Sequence, residues 1–329
     1  MRGSLLNLME AKKMTEDISS DTRTNLGIRA KQEFMNFLEE VEVKELFNTK
    51  VKGKFLLIEY TYDKNREEDF LKFIFNHIPT YALSRDEREN LTPEDTGKIF
   101  ELWKVALDRF VKNPNTGEFG EIILFHLLEL LEGAVQIVNK MALKTAGGVY
   151  SYGADAIHFG FDGNLKVLYL GESKTTESTF SGALNKSLNT VDEYYYKQKG
   201  KKEFEINLAS GNISNDIPEP TRTLIKDYLN PSKKGLSDFK EVHAIFLGFQ
   251  MNILKELENK YNSKYLLKKV IESYKEDIQG YIKKIESKFG DFPDLEGKRF
   301  LFFVIPFKNL ADLKERFSNT IKNGKKVNI

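Results

Sequence analysis

The 329-residue chain contains no cysteine. That excludes disulfides, thiolate zinc centres and a cysteine nucleophile, and with them several enzyme classes. Its four histidines, His77, His126, His158 and His243, are scattered singly, with no H-x-H or H-x-x-x-H pair to seed an imidazole metal site. Charge of one sign is also lacking: 50 Lys and Arg stand against 49 Asp and Glu. No global positive field draws the chain to nucleic acid or to an anionic membrane, so any such surface is a local patch. No run reaches the roughly 18 to 20 apolar residues that cross a bilayer, and the N-terminus, MRGSLLNLMEAKKM, lacks the apolar core of a signal peptide. The expectation is a cytoplasmic protein with no membrane contact.

What is present is the composition of a packed chain. Hydrophobic residues make up 40% and charged residues 30%, and apolar runs such as FLLIEY and FLFFVIPF recur from end to end, which argues against wholesale disorder. The length suits one large or two ordinary domains.

Residues 1–26 are polar with little periodicity and are expected to form a flexible arm. Residues 27–112 are expected to form an N-terminal α/β subdomain. Apolar residues at helical spacing (Phe34, Phe37, Leu38, Val41) predict a helix from Arg29 to Phe47. A strand over Lys54–Tyr62 and a helix over Glu67–Asn76 follow. In N-L-T-P-E-D, a Thr cap and a Pro at the first helical position open a helix from about Glu94 to Val111. Residues 113–329 are expected to form the core. EFGEIILFHLLELLEGAVQIVNK is apolar nearly all round, which predicts a buried helix from Glu118 to about Lys140. YSYGADAIHFGFDG and NLKVLYLGESKTT then read as two strands joined by a hairpin turn at Asp162-Gly163. A helix over Ser181–Lys197, a mixed polar segment holding Pro218, Pro220 and Pro231, and strands at Val242–Phe249 and Arg299–Phe307 complete the reading. The strands flank a charged helical region, Leu254–Phe289, and an amphipathic helix, Leu310–Lys322, ends it.

In KVLYLGESK the strand period of two puts Glu172 and Lys174 on one face, with Ser173 pointing away. If the hairpin forms, Asp155 lies on the neighbouring strand, 17 positions before Glu172, and the two carboxylates can converge on one cation. Carboxylates that hold Mg²⁺ beside a phosphate, with a cation to position water and offset charge, are what metal-assisted phosphodiester hydrolysis needs. Glu-x-Lys is cheap in so charged a chain: six such tripeptides start at Glu10, Glu42, Glu172, Glu258, Glu286 and Glu296. The other five sit in polar sequence where a solvated face explains them. Glu172 alone ends an apolar strand whose hairpin partner carries Asp155.

In the order of these parts the chain resembles the PD-(D/E)XK nuclease superfamily across roughly residues 115–250: an acidic helix (GEFGE), a strand near the Asp (GADAIHF), the (D/E)-x-K strand (GESK), a helix and a further strand (VHAIFLGF). It departs from that pattern in having Gly-Ala rather than Pro before Asp155. The resemblance implies a restriction-endonuclease-like α/β fold, a mixed sheet flanked by helices. It also implies Asp155 and Glu172 as metal ligands and Lys174 as the catalytic lysine, with Mg²⁺, for which Mn²⁺ can substitute. For the helix acid Glu121 is favoured over Glu118, because it lies one turn deeper in an apolar helix, where an unpaired carboxylate is expensive; a first-turn helix-dipole role suits Glu118.

HIPTYALS, GEFGEIILFHLLE, YGADAIHF, YLGESKTT and FFVIPF followed by Asn309-Leu310 further resemble, in order and spacing, the HamA family of Hachiman anti-phage defence. That resemblance implies a DNA endonuclease or exonuclease acting as a defence effector and held in check by a superfamily-two helicase subunit. Lys186, Lys197 and Thr175 are candidates for nucleic-acid contact, the lysines lying near the aromatic run Tyr194-Tyr195-Tyr196. For these a solvated helix and a turn-satisfying hydroxyl are the plain alternatives. Two other functions compete with the nuclease reading: a non-catalytic DNA-docking or regulatory subunit of the same fold, and an unrelated α/β enzyme in which Glu172 and Lys174 form only a structural ion pair.

Overall fold

The computed structural model describes residues 30–61, 64–88, 95–110, 117–138, 141, 154–162, 165–198, 200–213, 217, 219–230, 239–261 and 263–325. Among them seven strands form one mixed sheet: β1 (Leu38–Leu46), β2 (Val51–Ile58), β3 (Val135–Gln136), β4 (Ala156–Asp162), β5 (Leu165–Thr176), β6 (Phe239–Gln250) and β7 (Phe300–Phe307), in the order β1-β2-β7-β6-β5-β4-β3. The central strands β2, β7, β6 and β5 run parallel, and β1, β4 and β3 pair antiparallel at the margins. Parallel strands covered on both faces carry continuous apolar runs. FLFFVIPF of β7 is buried at every position.

Helices cover both faces, giving the α/β class expected. On one face α1 (Glu67–Asn76), α2 (Ile78–Ala82), α3 (Thr96–Asp108), α4 (Glu118–His126) and α10 (Leu310–Lys325) pack on Val167, Tyr169, Ala244, Phe246, Phe303 and Ile305. On the other, α5 (Phe180–Val191), α6 (Lys201–Gly211), α7 (Glu219–Leu229), α8 (Ile253–Lys260) and α9 (Ser263–Phe289) pack on Leu168, Leu170, Ile245, Leu247, Phe302 and Val304. The alternation of odd and even residues between these two lists is the strand period made visible.

Four expectations need correction. The helix expected through Phe47 stops at residue 35, and Leu38–Leu46 is strand β1. Leu38 and Leu46 are buried at its two ends, and a left-handed turn at Phe47, Asn48 and Thr49 (φ 49°, 54° and 68°) folds the chain back onto β2. As an edge, β1 is protected by exposed charges such as Glu39, Glu40 and Lys44. The helix expected to reach Lys140 is α4 with a π-helical extension, Leu127–Leu131; Gly133, at φ 63°, turns the chain into β3. The mixed polar segment contains α6 and α7. The charged region from Leu254 is two helices, α8 and α9, broken at Tyr261, which is extended. The arm, the Thr92 cap and Gly163-Asn164 of the hairpin turn lie outside the described residues, although the hairpin's Asp162–Leu165 closing pair is present.

Candidate active site

The ladder between β4 and β5 runs from Asp162–Leu165 to Ala156–Gly171, whereas the ladder between β5 and β6 continues to Thr176–Phe249. β5 therefore outruns β4, and the overhanging residues are Glu172 to Thr176. This is the carboxyl end of a parallel strand, where α/β sheets place their chemistry.

Glu172 is buried, 4% exposed, and pairs with the Lys174 ammonium, whose side chain is 30% exposed. Both follow Leu168 and Leu170 on the same side of the strand. Burial pushes the Lys174 ammonium down, but Glu172, and beyond it Asp155 and Glu121, push it up by more, so it titrates above the ordinary lysine range. Among the described contacts Glu172 alone touches the ammonium; Asp155 and Glu121 act on it from further off, through charge. Asp155, just before β4, fills the place the ladder leaves empty: its Oδ2 accepts the Ser173 N–H at 2.8 Å and the Ser173 hydroxyl at 3.0 Å, while its own N–H donates to Gly171 O at 2.8 Å.

Glu121 comes from the first turn of α4, and the Tyr81 hydroxyl of α2 donates to its Oε2 at 3.3 Å. Tyr81 is buried in the core, and burial, then the charges of Glu121, Glu118 and Asp155, hold its phenol well above the usual range. The expected depth of the two helix acids is reversed: Glu118 is 3% exposed and Glu121 half-buried. Glu121 nonetheless is the one that accepts the Tyr81 hydroxyl.

Helix α4 approaches β5 closely because Gly120 has no side chain. A Cβ there would lie 3.1 Å from Ser173 Oγ and 3.2 Å from the Thr175 methyl. Gly171 acts likewise on the other side of the motif, where a Cβ would lie 2.7 Å from Ala156 Cβ and 2.9 Å from Leu124 Cδ2. Thr175 packs at the close approach to Gly120. Lys186 is exposed on α5, and Lys197 pairs with the buried Asp192 at 2.6 Å and with Glu193 at 3.3 Å. None of the described contacts joins these two lysines to Lys174. Tyr81 and Gly120 were not singled out from sequence as members of a site, and Ser173, read there with Thr175 and Thr176 as a candidate donor to phosphate, donates instead to Asp155. Ser173 was legible as the residue between the acid and the base, but its grip on Asp155 depends on where β4 ends.

Among the described residues no three of His, Asp and Glu already converge as a ligand cage. The acids at this end of β5, Glu172, Asp155 and Glu121, are carboxylates, and oxygen donors of this kind suit a hard cation such as Mg²⁺ rather than a thiophilic metal.

A family model, HamA, matches residues 33–321. The chain belongs to the HamA family. Membership assigns it to Hachiman anti-phage defence, a multi-subunit system. The match covers every element of the site, from Tyr81 of α2 through Glu121 and Asp155 to Lys174, within one HamA unit. No curated protein matches the chain. No helix among the described residues is long and apolar enough to cross a membrane.

Proposed function

We propose that this HamA-family chain is a metal-dependent DNA nuclease, the effector of its defence system, restrained by a superfamily-two helicase subunit. The observation that carries the reading is the Glu172–Lys174 pair on the overhang of β5, with the Asp155 carboxylate held beside it by Ser173, at the point where β5 outruns β4. A structural ion pair needs one acid, whereas here Asp155 and Glu121 also lie within electrostatic range of the cation. Asp155, Glu172 and Glu121 would hold Mg²⁺, which supplies Lewis-acid polarisation of a phosphoryl oxygen. Lys174, kept protonated by its acids, donates hydrogen bonds to a phosphate oxygen or to the attacking water and offsets the negative charge that develops. Near-balanced net charge fits a nuclease that receives its DNA from a partner, since tight unaided binding to the phosphate backbone needs a larger basic footprint.

One observation favours the competing reading of a DNA-docking or regulatory subunit: Lys174 is already paired with Glu172 and Asp155 with Ser173, so the groups satisfy one another. Degradation of supercoiled and linear DNA by the purified chain separates the two. It is run with Mg²⁺, with Mn²⁺ and with EDTA, alone and with any helicase encoded beside it plus ATP. Metal-dependent cleavage that disappears in both Glu172→Ala and Lys174→Ala supports the nuclease. Cleavage surviving both substitutions removes the site, and no cleavage under any condition leaves the docking subunit.

A further inference from the structure

We infer that Ser173, the residue between the acid and the base of Glu172-Ser173-Lys174, is a positioning residue that sets the Asp155 carboxylate for cation binding, and that Gly120 seats it. The inference rests on the nuclease reading and adds to it a residue that none of the metal-ligand or lysine roles includes.

The geometry is specific to the end of the β4–β5 ladder. β4 starts at Ala156, so the Ser173 N–H has no strand partner from that side, and Asp155 Oδ2 takes it at 2.8 Å. The Ser173 hydroxyl closes on the same oxygen at 3.0 Å. Two donors from one residue, one of them rigid backbone, fix the torsion of a carboxylate that otherwise rotates freely, and a fixed carboxylate is worth more to a cation than a mobile one. Ser173 is itself buried, 6% exposed, and points to the α4 face, away from Glu172 and Lys174. Its hydroxyl contacts Asp155 rather than Glu172 or Lys174, and acts through that carboxylate. On that face Gly120 lets the α4 backbone come so close that an added Cβ would stand 3.1 Å from Ser173 Oγ and 3.3 Å from its Cβ. The closeness holds the hydroxyl in the rotamer that meets Asp155, and it places Glu121, the next residue of α4, beside the same site.

Partners of this kind typically account for about ten- to a hundredfold in metal affinity or activity. The test is Mn²⁺ binding followed by electron paramagnetic resonance on the full chain, together with the Mg²⁺ dependence of DNA cleavage. Ser173→Ala is expected to weaken Mn²⁺ binding at least about tenfold and to raise the Mg²⁺ concentration for half-maximal cleavage in parallel. Ser173→Thr keeps the hydroxyl and, where thermal unfolding shows that its γ-methyl is accommodated against α4, is expected to restore both. Asp155→Ala is the reference for full loss. Thermal unfolding of each variant shows whether the fold is intact, and should Ser173→Ala fail to fold, the Ser173→Cys variant, of the same shape with a weaker donor, carries the comparison.

If wild type binds Mn²⁺ and Asp155→Ala does not, while Ser173→Ala binds as wild type does, the positioning role is overturned and the nuclease reading stands. Wild type that binds no Mn²⁺ and cleaves no DNA overturns both.

Discussion

Two glutamates with the same 4% exposure show how differently a buried carboxylate can be used. Glu67, at the start of α1, is tied to backbone. One oxygen accepts the Lys308 N–H, the other accepts the Asn309 N–H at 3.2 Å, and the Lys308 ammonium goes elsewhere, to Glu258 at 2.8 and 3.0 Å. Those N–H groups precede α10, which packs beside α1, so Glu67 couples the N-terminal segment to the last helix of the chain. Glu172 meets a side-chain ammonium instead, in the field of two further acids and at a half-open strand end. A carboxylate saturated by main-chain donors is architecture, because nothing can be exchanged without unfolding the turn it holds. A carboxylate facing a lysine that can move, with other acids nearby, can trade that partner for a cation or a phosphate.

The largest expected effect breaks the pair apart by function. Glu172→Gln should lower DNA cleavage by at least about a hundredfold, the scale of losing a ligand to the catalytic metal. Its stability should change by no more than about 1 kcal/mol, as the amide still reaches Lys174. Glu67→Ala should do the reverse, costing about 2 kcal/mol in urea unfolding by orphaning two part-buried N–H groups, with cleavage per folded molecule retained. Equal stability losses in the two variants would remove the distinction.

A smaller effect sharpens it through pH. Burial pushes the Glu67 carboxyl up, against the opposing pull of the Lys308 N–H, the Lys308 ammonium and the Asn309 N–H, to about 7 from an ordinary value of 4.5. A raised carboxyl means the native state binds more protons than the unfolded chain between those values, so this group's contribution is full below about pH 4.5 and is lost as pH rises through about 7. Wild type should therefore gain stability relative to Glu67→Gln as pH falls from about 8 to about 5, by up to roughly 3 kcal/mol, measured as paired denaturant midpoints. A difference that shrinks over the same interval contradicts the sign.

Smallest is the effect of Tyr81→Phe. Deleting the phenol oxygen removes one donor from Glu121 Oε2. Cleavage should fall by roughly threefold to tenfold, on the scale of about 1 kcal/mol for one hydrogen bond, and the Mg²⁺ requirement should rise. An unchanged Mg²⁺ requirement would place Glu121 outside the site.

Much of the sheet was legible because buried parallel strands leave an unmistakable apolar run, as in VHAIFLGF and FLFFVIPF, and because Asp-Gly between two alternating segments marks a hairpin. β1 was not, since an edge strand carries the same mixed charge as a helix surface; its Glu42-x-Lys44 even repeats the spacing of Glu172-x-Lys174, with Glu42 engaged by Gln279 Nε2 at 3.5 Å. The region from Lys201 to Leu229 was opaque because its apolar positions are set by what they pack against, Ile213, Ile225 and Leu229 reaching a core built by distant strands.

For the candidate site, the strand period alone placed Glu172 and Lys174 on one face and left Ser173 behind them. The residue types alone selected oxygen ligands, since a chain without cysteine and without paired histidines has few others to offer. Only the tertiary structure decided that β4 stops short of β5, that Asp155 is held by Ser173 there, that Gly120 admits α4 to the same point, and that Tyr81 reaches Glu121 from a helix forty residues earlier. Period and composition are local properties of a chain. Where a ladder ends, and which backbone comes close enough to matter, depend on how distant segments pack, and no stretch of sequence carries that by itself.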